Sequence, residues 1–509
     1  MGRGILRVAG GVKGGEPSFF IPLTLAPNST SNGAWIYGGV IMELGALQAL
    51  VGAENVLVGP DTGKWASDWT GGYCGTPLAV VRPANTAQVS AVVAWANSNG
   101  IAVVPMSGAT GLVGGGLATD QIVLSLDRMN RIRDLRPDAR IAIVEAGVIL
   151  STLHAATANH GLIFPMTFGA RGSAMIGGML ATNAGGSNVL RYGNMRDLCL
   201  GLEVVLADGT ILDLMSELHK DNSGYDLRHL LIGSEGTLGI ITAAVLKLAE
   251  QPKATATALV ALPDLGTALD LLNRMQTETG GAVQAFEFMP RAHFEGYYRL
   301  HPEARPVLED IYDVHILIET GATAPRQATP RPDGTIPVVE QLETILAEML
   351  ESGDLLDAVV AQSDTQRAQI WSIREAAAEI TFSRRPYVDN DIALPLDKVE
   401  TFLTRIGARI ARLDPDANDL SVAHLGDGNI HYTIYPTRDD PALKDALRET
   451  VEDLVQELRG SFSAEHGIGK SKLATMRRRK DPATLATMRA IKSALDPKGT
   501  LNPGKVLPV

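Results

Sequence analysis

Through residues 78–160 the chain alternates short apolar runs with longer amphipathic stretches. The runs at 78–82, 101–104, 121–126 and 142–147 have the length and composition of buried strands, while 88–97 and 149–159 repeat apolar positions at helical spacing. Pro83 followed by Ala84-Asn85-Thr86 supplies the start signal for the first helix. Alternation of this kind predicts layered strands and helices. Further on, apolar runs at 202–207 and 210–214 flank Asp208-Gly209, a pair that favours a two-residue hairpin loop, and 240–248 reads as another strand. At Gln251-Pro252-Lys253 the texture changes. Amphipathic helices at 265–276 and 338–351 enclose strand patterns at 284–289 and 313–319, which predicts a second, smaller α+β domain. The Pro-, Arg- and Gly-rich segment 321–335 reads as an exposed loop.

Two stretches break this periodicity with glycine. The strand at 101–104 runs into V-V-P-M-S-G-A-T-G-L-V-G-G-G (103–116), and 168–186 reads F-G-A-R-G-S-A-M-I-G-G-M-L-A-T-N-A-G-G. Glycine lets a backbone reach positive φ and present N–H groups to a ligand, most often a phosphate. The first stretch could instead be a surface loop, and the second a small-residue packing interface; their pairing favours a large phosphorylated cofactor. L-I-G-S-E-G-T-L-G (231–239) is a third turn of this kind. No G-x-G-x-x-G opens a helix after the first strand, which argues against a Rossmann domain. A-E-H-G-I-G-K-S (464–471) ends like a P-loop, but Ala464 stands where that motif needs glycine and no strand leads into it.

Composition narrows the picture. A chain of 509 residues holds two or three domains. A net charge of −12 argues against nucleic acid or an anionic membrane surface as partner. Two cysteines, Cys74 and Cys199, make no disulfide framework, so a reducing compartment and a cytoplasmic location are expected, and no run of 18 apolar residues offers a membrane span. Residues 1–41 lack periodicity and the marks of signal or transit peptides, whereas a helical pattern begins after Met42. They are expected to be a disordered extension or to lie upstream of the true start.

Candidate chemistry concentrates near the C-terminus. In S-V-A-H-L-G-D-G-N-I-H-Y-T-I-Y-P (421–436), a two-residue loop at Asp427-Gly428 would set His424 directly opposite His431. Two imidazoles at ~5 Å spacing suit a shared metal, with Glu465 as a third ligand and open positions for substrate. They could equally hydrogen-bond a substrate carboxylate or be core residues. If Glu465 binds metal, His466 beside it is free to act as a general base. Arg374 is a candidate carboxylate clamp, although a lone helical Arg is more often a solvated charge.

Together these motifs resemble the FAD-linked oxidase family with a vanillyl-alcohol-oxidase (PCMH) type flavin domain, and within it the D-2-hydroxyglutarate and D-lactate dehydrogenase branch. The resemblance spans 42–509 and implies an α+β fold: an FAD domain of two α/β subdomains at 42–250, a substrate and metal domain with an antiparallel sheet at 251–470, and a helical segment at 471–509 returning to the flavin. It implies FAD contacts from Pro105, Ser107, Gly108, Ala109, Thr110, Gly111 and Leu112, and from Gly172, Ser173, Gly177, Gly178, Thr182, Asn183, Gly185 and Gly186. Glu235, Gly239, Ile240 and Asn502 complete that set. With no histidine in 105–115, FAD is expected to be held non-covalently. His424, His431 and Glu465 would bind Zn²⁺ or a similar divalent ion, His466 would take the hydroxyl proton as hydride passes to flavin N5, and Arg374 would hold the substrate carboxylate. Electrons would pass to a quinone, an electron-transfer flavoprotein or a cytochrome; an O₂-using oxidase and a flavin-binding subunit with a lapsed metal site are the alternatives. A homodimer is expected from the family.

Three departures bear on the substrate. Hydroxyglutarate-type members usually carry Thr four residues and Lys fifteen residues after the Arg; here these are Ala378 and Asp389. The usual Asn two residues past the second metal histidine is Thr433. An aspartate repels a second carboxylate, which points to a D-2-hydroxy acid whose distal end is neutral or cationic.

Overall fold

The computed structural model describes residues 44–508 except residue 70, and ahead of them the backbone of three short strands, Asn28–Ser29, Ala34–Tyr37 and Val40–Glu43. Those strands pair antiparallel in the order given. The rest of the extension expected at 1–41 lies outside the described residues. Met42 falls in the third strand, and the helix expected after it is Leu44–Val51.

The first layer is a four-stranded sheet ordered Val56–Leu57, Ala79–Val81, Ile122–Ser125, Val103–Met106, the last three mutually parallel. Its parallel strands are almost wholly apolar, with Ser125 the one polar residue, because the sheet is buried on both faces. Helix Thr86–Ser98 starts at Asn85, whose side chain accepts the Gln88 N–H at 3.0 Å, and buries Val89, Val92, Val93 and Ala96. The C-terminal segment joins the same sheet beside the edge strand: Val103 N–H donates to Thr500 O, and Asn502 N–H to Val103 O, both at 2.8 Å.

The second layer is a five-stranded antiparallel sheet ordered Ile211–Leu214, Cys199–Val205, Ile240–Lys247, Ile141–Glu145, Ile132–Arg136. Its hairpin is not the two-residue loop the sequence suggested. Val205 pairs with Ile211, Leu206 N–H donates to Thr210 O, and Gly209 sits at φ +91°, which makes a three-residue loop ending in a glycine at positive φ.

The third layer is a seven-stranded antiparallel sheet ordered Asp357–Val360, Ala254–Leu262, Val314–Ala322, Val283–Pro290, Asn418–His424, Asn429–Tyr435, Val388–Ala393. The domain expected to be the smaller one therefore carries the largest sheet. Strand Ala254–Leu262, second in that order, went unread in the sequence because both faces are buried, which erases the period-two alternation. On one face Ala258, Val260, Phe286 and Phe288 pack under helices Leu265–Thr279 and Pro337–Ser352. On the other, Leu259, Ala261, Ala285 and Met289 meet Phe294, Ile370, Ile373 and Ile380 of helices Arg291–Leu300, Asp364–Glu375 and Ala377–Phe382. The loop expected at 321–335 begins inside a strand and contains a helical turn, Pro325–Ala328.

Candidate active site

A cavity of about 650 Å³ separates the glycine-rich segments from the second face of the large sheet. One wall holds Pro105, Ser107, Ala109, Thr110, Gly111, Leu112, Ser173, Gly177, Gly178, Thr182, Gly185, Gly186, Glu235, Gly239, Ile240 and Asn502. The other holds Arg374, Asp389, His424, His431, Glu465 and His466. Four expected site residues do not line it. Gly108 (φ +87°) packs the two glycine segments together, since a Cβ there would sit 2.8 Å from Met175 N. Gly172 is exposed, and Asn183 caps a helix while its side chain accepts Arg196 N–H at 3.0 Å. Thr433 is buried and donates its hydroxyl to Asp389 Oδ1 at 2.9 Å.

The glycine wall fits a phosphorylated cofactor. Among the described residues, no protein acceptor takes the backbone N–H of any residue from Gly108 to Gly115, leaving a row of donors for an anion. Gly178 and Gly186 let the loops approach, as a Cβ would lie 2.2 Å from Ser107 O and 2.3 Å from Thr167 O respectively. Asn502 donates to Gly115 O at 3.1 Å and Glu235 O at 2.7 Å, while its buried Oδ1 has no protein donor, which suits a ligand N–H. The Glu235 carboxylate also has partners within the protein: it accepts Ile468 N–H at 2.7 Å and Gly469 N–H at 2.8 Å. Burial pushes that carboxyl up, opposed by those two bonds.

On the opposite wall the histidine hairpin has a longer loop than expected. His424 pairs with Asn429 and His431 with Val422, so residues 425–428 form a four-residue turn and the histidines are diagonal rather than opposite. The shift equals one side-chain period, so both rings stay on one face, with centroids 5.4 Å apart. His424, His431 and Glu465 offer ligand atoms all within 4.8 Å of one another. Gly185 on the glycine wall leaves room for this group: a Cβ there would lie 2.5 Å from Glu465 Oε1. Asp391, His431 and His466 form a second such cluster. Asp391 is already saturated, because Oδ2 accepts the N–H groups of Ala464, Glu465 and His466 and Oδ1 accepts Asn429 Nδ2. The first set therefore suits a metal better.

Two acids at this site went unread in the sequence. Glu287 pairs across the sheet with His424, accepts from its Nδ1 at 2.9 Å, and accepts Arg374 Nε at 2.7 Å. The only sequence signal was a charge inside the apolar run A-F-E-F-M. Burial favours its neutral form, but the charges of His424 and Arg374 outweigh this and pull the Glu287 carboxyl down to about 2. Conversely, burial would lower His424, yet Glu287 pushes it up to about 9. The Nδ1 bond to Glu287 leaves Nε2 facing Glu465 Oε1 at 3.9 Å, the arrangement of a carboxylate-oriented metal ligand. His431 is driven down to about 3 by burial and by the neighbouring histidines, which keeps it neutral and able to ligate. For Asp391, the charges of His466 and Lys472 prevail over burial, so the group is held far below the usual carboxylate range. Its signal was the second acid of V-D-N-D-I, alternate to Asp389 on one strand face.

At the far end the cavity is bounded by Trp69, Phe168, Trp371, Ala378 and Phe382. Among the described residues lining it, Arg374 is the lone Arg or Lys. Arg384 lies over the Tyr435 ring and Arg385 over Tyr387, outside the cavity. Burial pushes the Asp389 carboxyl up.

Residues 77–215 match the FAD binding domain family, and 251–506 the C-terminal domain of FAD linked oxidases. A D-2-hydroxyglutarate dehydrogenase of Xanthomonas citri pv. viticola is 36% identical over 468 residues, 91% of this chain and 96% of that protein. The mitochondrial D-2-hydroxyglutarate dehydrogenase of Bos taurus is also 36% identical, over 92% of this chain and 83% of its own length. Among solved structures, p-cresol methylhydroxylase with substrate bound superposes with a TM-score of 0.69 at 15% identity, over 91% of this chain and 95% of that one. Alkyldihydroxyacetonephosphate synthase gives 0.67 at 16% identity, over 90% and 84%. These two establish likeness of fold, and the PCMH-type flavin fold expected from the motifs is borne out.

Proposed function

This chain belongs to the FAD-linked oxidase family, and from that membership we propose that it oxidises a D-2-hydroxy acid of the D-2-hydroxyglutarate kind to the 2-oxo acid. The observation that carries the reading is one cavity with a phosphate-cradling glycine wall facing His424, His431, Glu465 and His466. When bound, FAD supplies the two-electron acceptor and a divalent ion supplies a Lewis acid that favours the alkoxide. Arg374, braced by Glu287, binds the substrate carboxylate and fixes which hydrogen on C2 faces the flavin wall. His466 accepts the hydroxyl proton at a ring nitrogen as the C2 hydrogen leaves with its electron pair. Non-covalent FAD fits a cavity whose lining histidines all stand at the metal end. A quinone, electron-transfer flavoprotein or cytochrome then takes the electrons. The histidines and acids being present together disfavours a lapsed metal site. No helix among the described residues is long and apolar enough to cross a membrane.

A second reading of the substrate's distal end has its own support. Ala378 and Asp389, the departures from the hydroxyglutarate pattern, line the cavity, and Thr433, the third departure, is the hydrogen-bond partner of Asp389 on the adjacent strand. Substitutions paired in this way, in a cavity with one Arg, favour a neutral or cationic distal group. Anaerobic bleaching of flavin absorbance by D-2-hydroxyglutarate, D-lactate and acids with neutral or cationic ends, before and after chelation, tests both. Bleaching by D-2-hydroxy acids that is lost on chelation and restored by Zn²⁺ is expected; no bleaching by any of them sinks the dehydrogenase reading. Preference for D-2-hydroxyglutarate over the others removes the second.

A further inference from the structure

The loop that carries Glu465 and His466 has, after one bridge at Ser461, no regular secondary structure as far as Lys470. Its backbone is held by acids instead. Asp391 Oδ2 accepts the N–H groups of Ala464, Glu465 and His466 at 3.2, 3.0 and 2.9 Å. Glu235 accepts those of Ile468 and Gly469 at 2.7 and 2.8 Å. Successive N–H groups converging on an anion form a phosphate-type nest, and here the protein fills it with its own carboxylates. The two acids come from different parts of the fold, Asp391 from the large sheet and Glu235 from the third glycine turn, which lines the cavity. Lys472 balances the charge, with Nζ 3.7 Å from Asp391 Oδ2 and donating to Ser463 Oγ at 3.0 Å. The loop is also joined to the first glycine segment, since Lys470 N–H donates to Val113 O at 2.9 Å.

We propose that Asp391 and Glu235 are positioning residues forming a two-ended clamp that sets Glu465 and His466 against the flavin wall. Glu235 thereby acts on the reaction through the loop rather than by holding cofactor. This rests on the dehydrogenase reading, because the clamp's purpose is the placement of His466.

Glu235→Gln removes the charge at one end while keeping its shape, and Gly467→Ala lifts the loop without changing any buried charge. Gly467 lies at φ +78°, and a Cβ there would sit 2.7 Å from Glu235 Oε1. In both variants, backbone hydrogen exchange over 464–469 is expected to quicken about tenfold or more with FAD still bound one to one. Anaerobic flavin reduction is expected to slow about tenfold or more while substrate Kd changes less than about threefold, as misplacement of a reacting group predicts. In a His466→Ala background, adding Glu235→Gln is expected to cost clearly less than it does alone, since only the placement of Glu465 is then left to lose. Unchanged exchange in both variants overturns the clamp, as does a full multiplicative effect in the double variant. Loss of FAD from Glu235→Gln with a normal Gly467→Ala makes Glu235 a cofactor ligand and also overturns it. If Glu235→Gln fails to fold, Gly467→Ala decides. A wild-type flavin that no D-2-hydroxy acid reduces condemns the dehydrogenase reading separately, because the exchange result stands apart from turnover.

Discussion

Glu287 carries two positive partners on one buried carboxylate, and removing its charge leaves both exposed to their own desolvation. Arg374 and Glu287 are 9% and 1% accessible at their side chains, so solvent cannot replace the lost partner. Breaking a buried pair by removing one member costs roughly 3–5 kcal/mol. Glu287→Gln is therefore expected to lower unfolding free energy by about that amount in denaturant titration. It is also expected to weaken metal binding about 10- to 100-fold, because His424 loses the group that orients it. Stability equal to wild type would mean that the carboxylate is spectator to Arg374. The site's motif residues were legible in the sequence because glycine runs and paired histidines are local signals. Glu287 was not, because it meets His424 137 positions away and only sheet pairing joins them.

At the level of elements, one face of the large sheet is divided between chemistry and core. His424, His431 and Glu287 carry the chemistry, while Ala285 and Met289, which flank Glu287 on its own strand, join Leu259 in packing under helices Arg291–Leu300 and Asp364–Glu375. Two neutral histidines join those helices to the face. His293 donates from Nε2 to Ile373 O at 2.7 Å, one residue before Arg374, and His315 stacks on Phe294 with centroids 3.9 Å apart. Burial drives each down to about 4 from 6.5. Between those values the unfolded chain binds the protons and the folded chain does not, so stability is full above about pH 6.5 and falls as pH drops towards 4. Each histidine accounts for about 3 kcal/mol of that loss. His293→Gln is expected to flatten the fall in denaturant midpoint between pH 6.5 and 4; an unchanged slope would assign it to other groups. Element type was readable in the sequence for short apolar runs bounded by turn residues and for helices with one solvated face. Register was not, because the loop lengths at Asp208-Gly209 and Asp427-Gly428 depend on which residues the rest of the sheet draws into pairing.

At the scale of the molecule, the cofactor wall is closed by a residue nearly four hundred positions from the loop it completes. The C-terminal segment lies along Val103–Met106, and Asn502 spans from there to the Gly115 and Glu235 carbonyls, joining the first glycine loop, the third glycine turn and the chain's end. Its Oδ1 is buried without a protein donor, a cost tolerated in a folded chain when a ligand supplies the missing bond. Asn502→Ala removes both donated bonds and this acceptor. The cost of unpaired buried groups is about 1–3 kcal/mol, which converts to a roughly 5- to 150-fold weaker hold on FAD. The measurement is flavin fluorescence on dilution, with His466→Ala as a control that changes the opposite wall. FAD is expected to leave Asn502→Ala and stay in His466→Ala. Equal retention would mean that the C-terminal segment only packs against the flavin domain, and that the glycine loop's own N–H groups are sufficient to hold the cofactor.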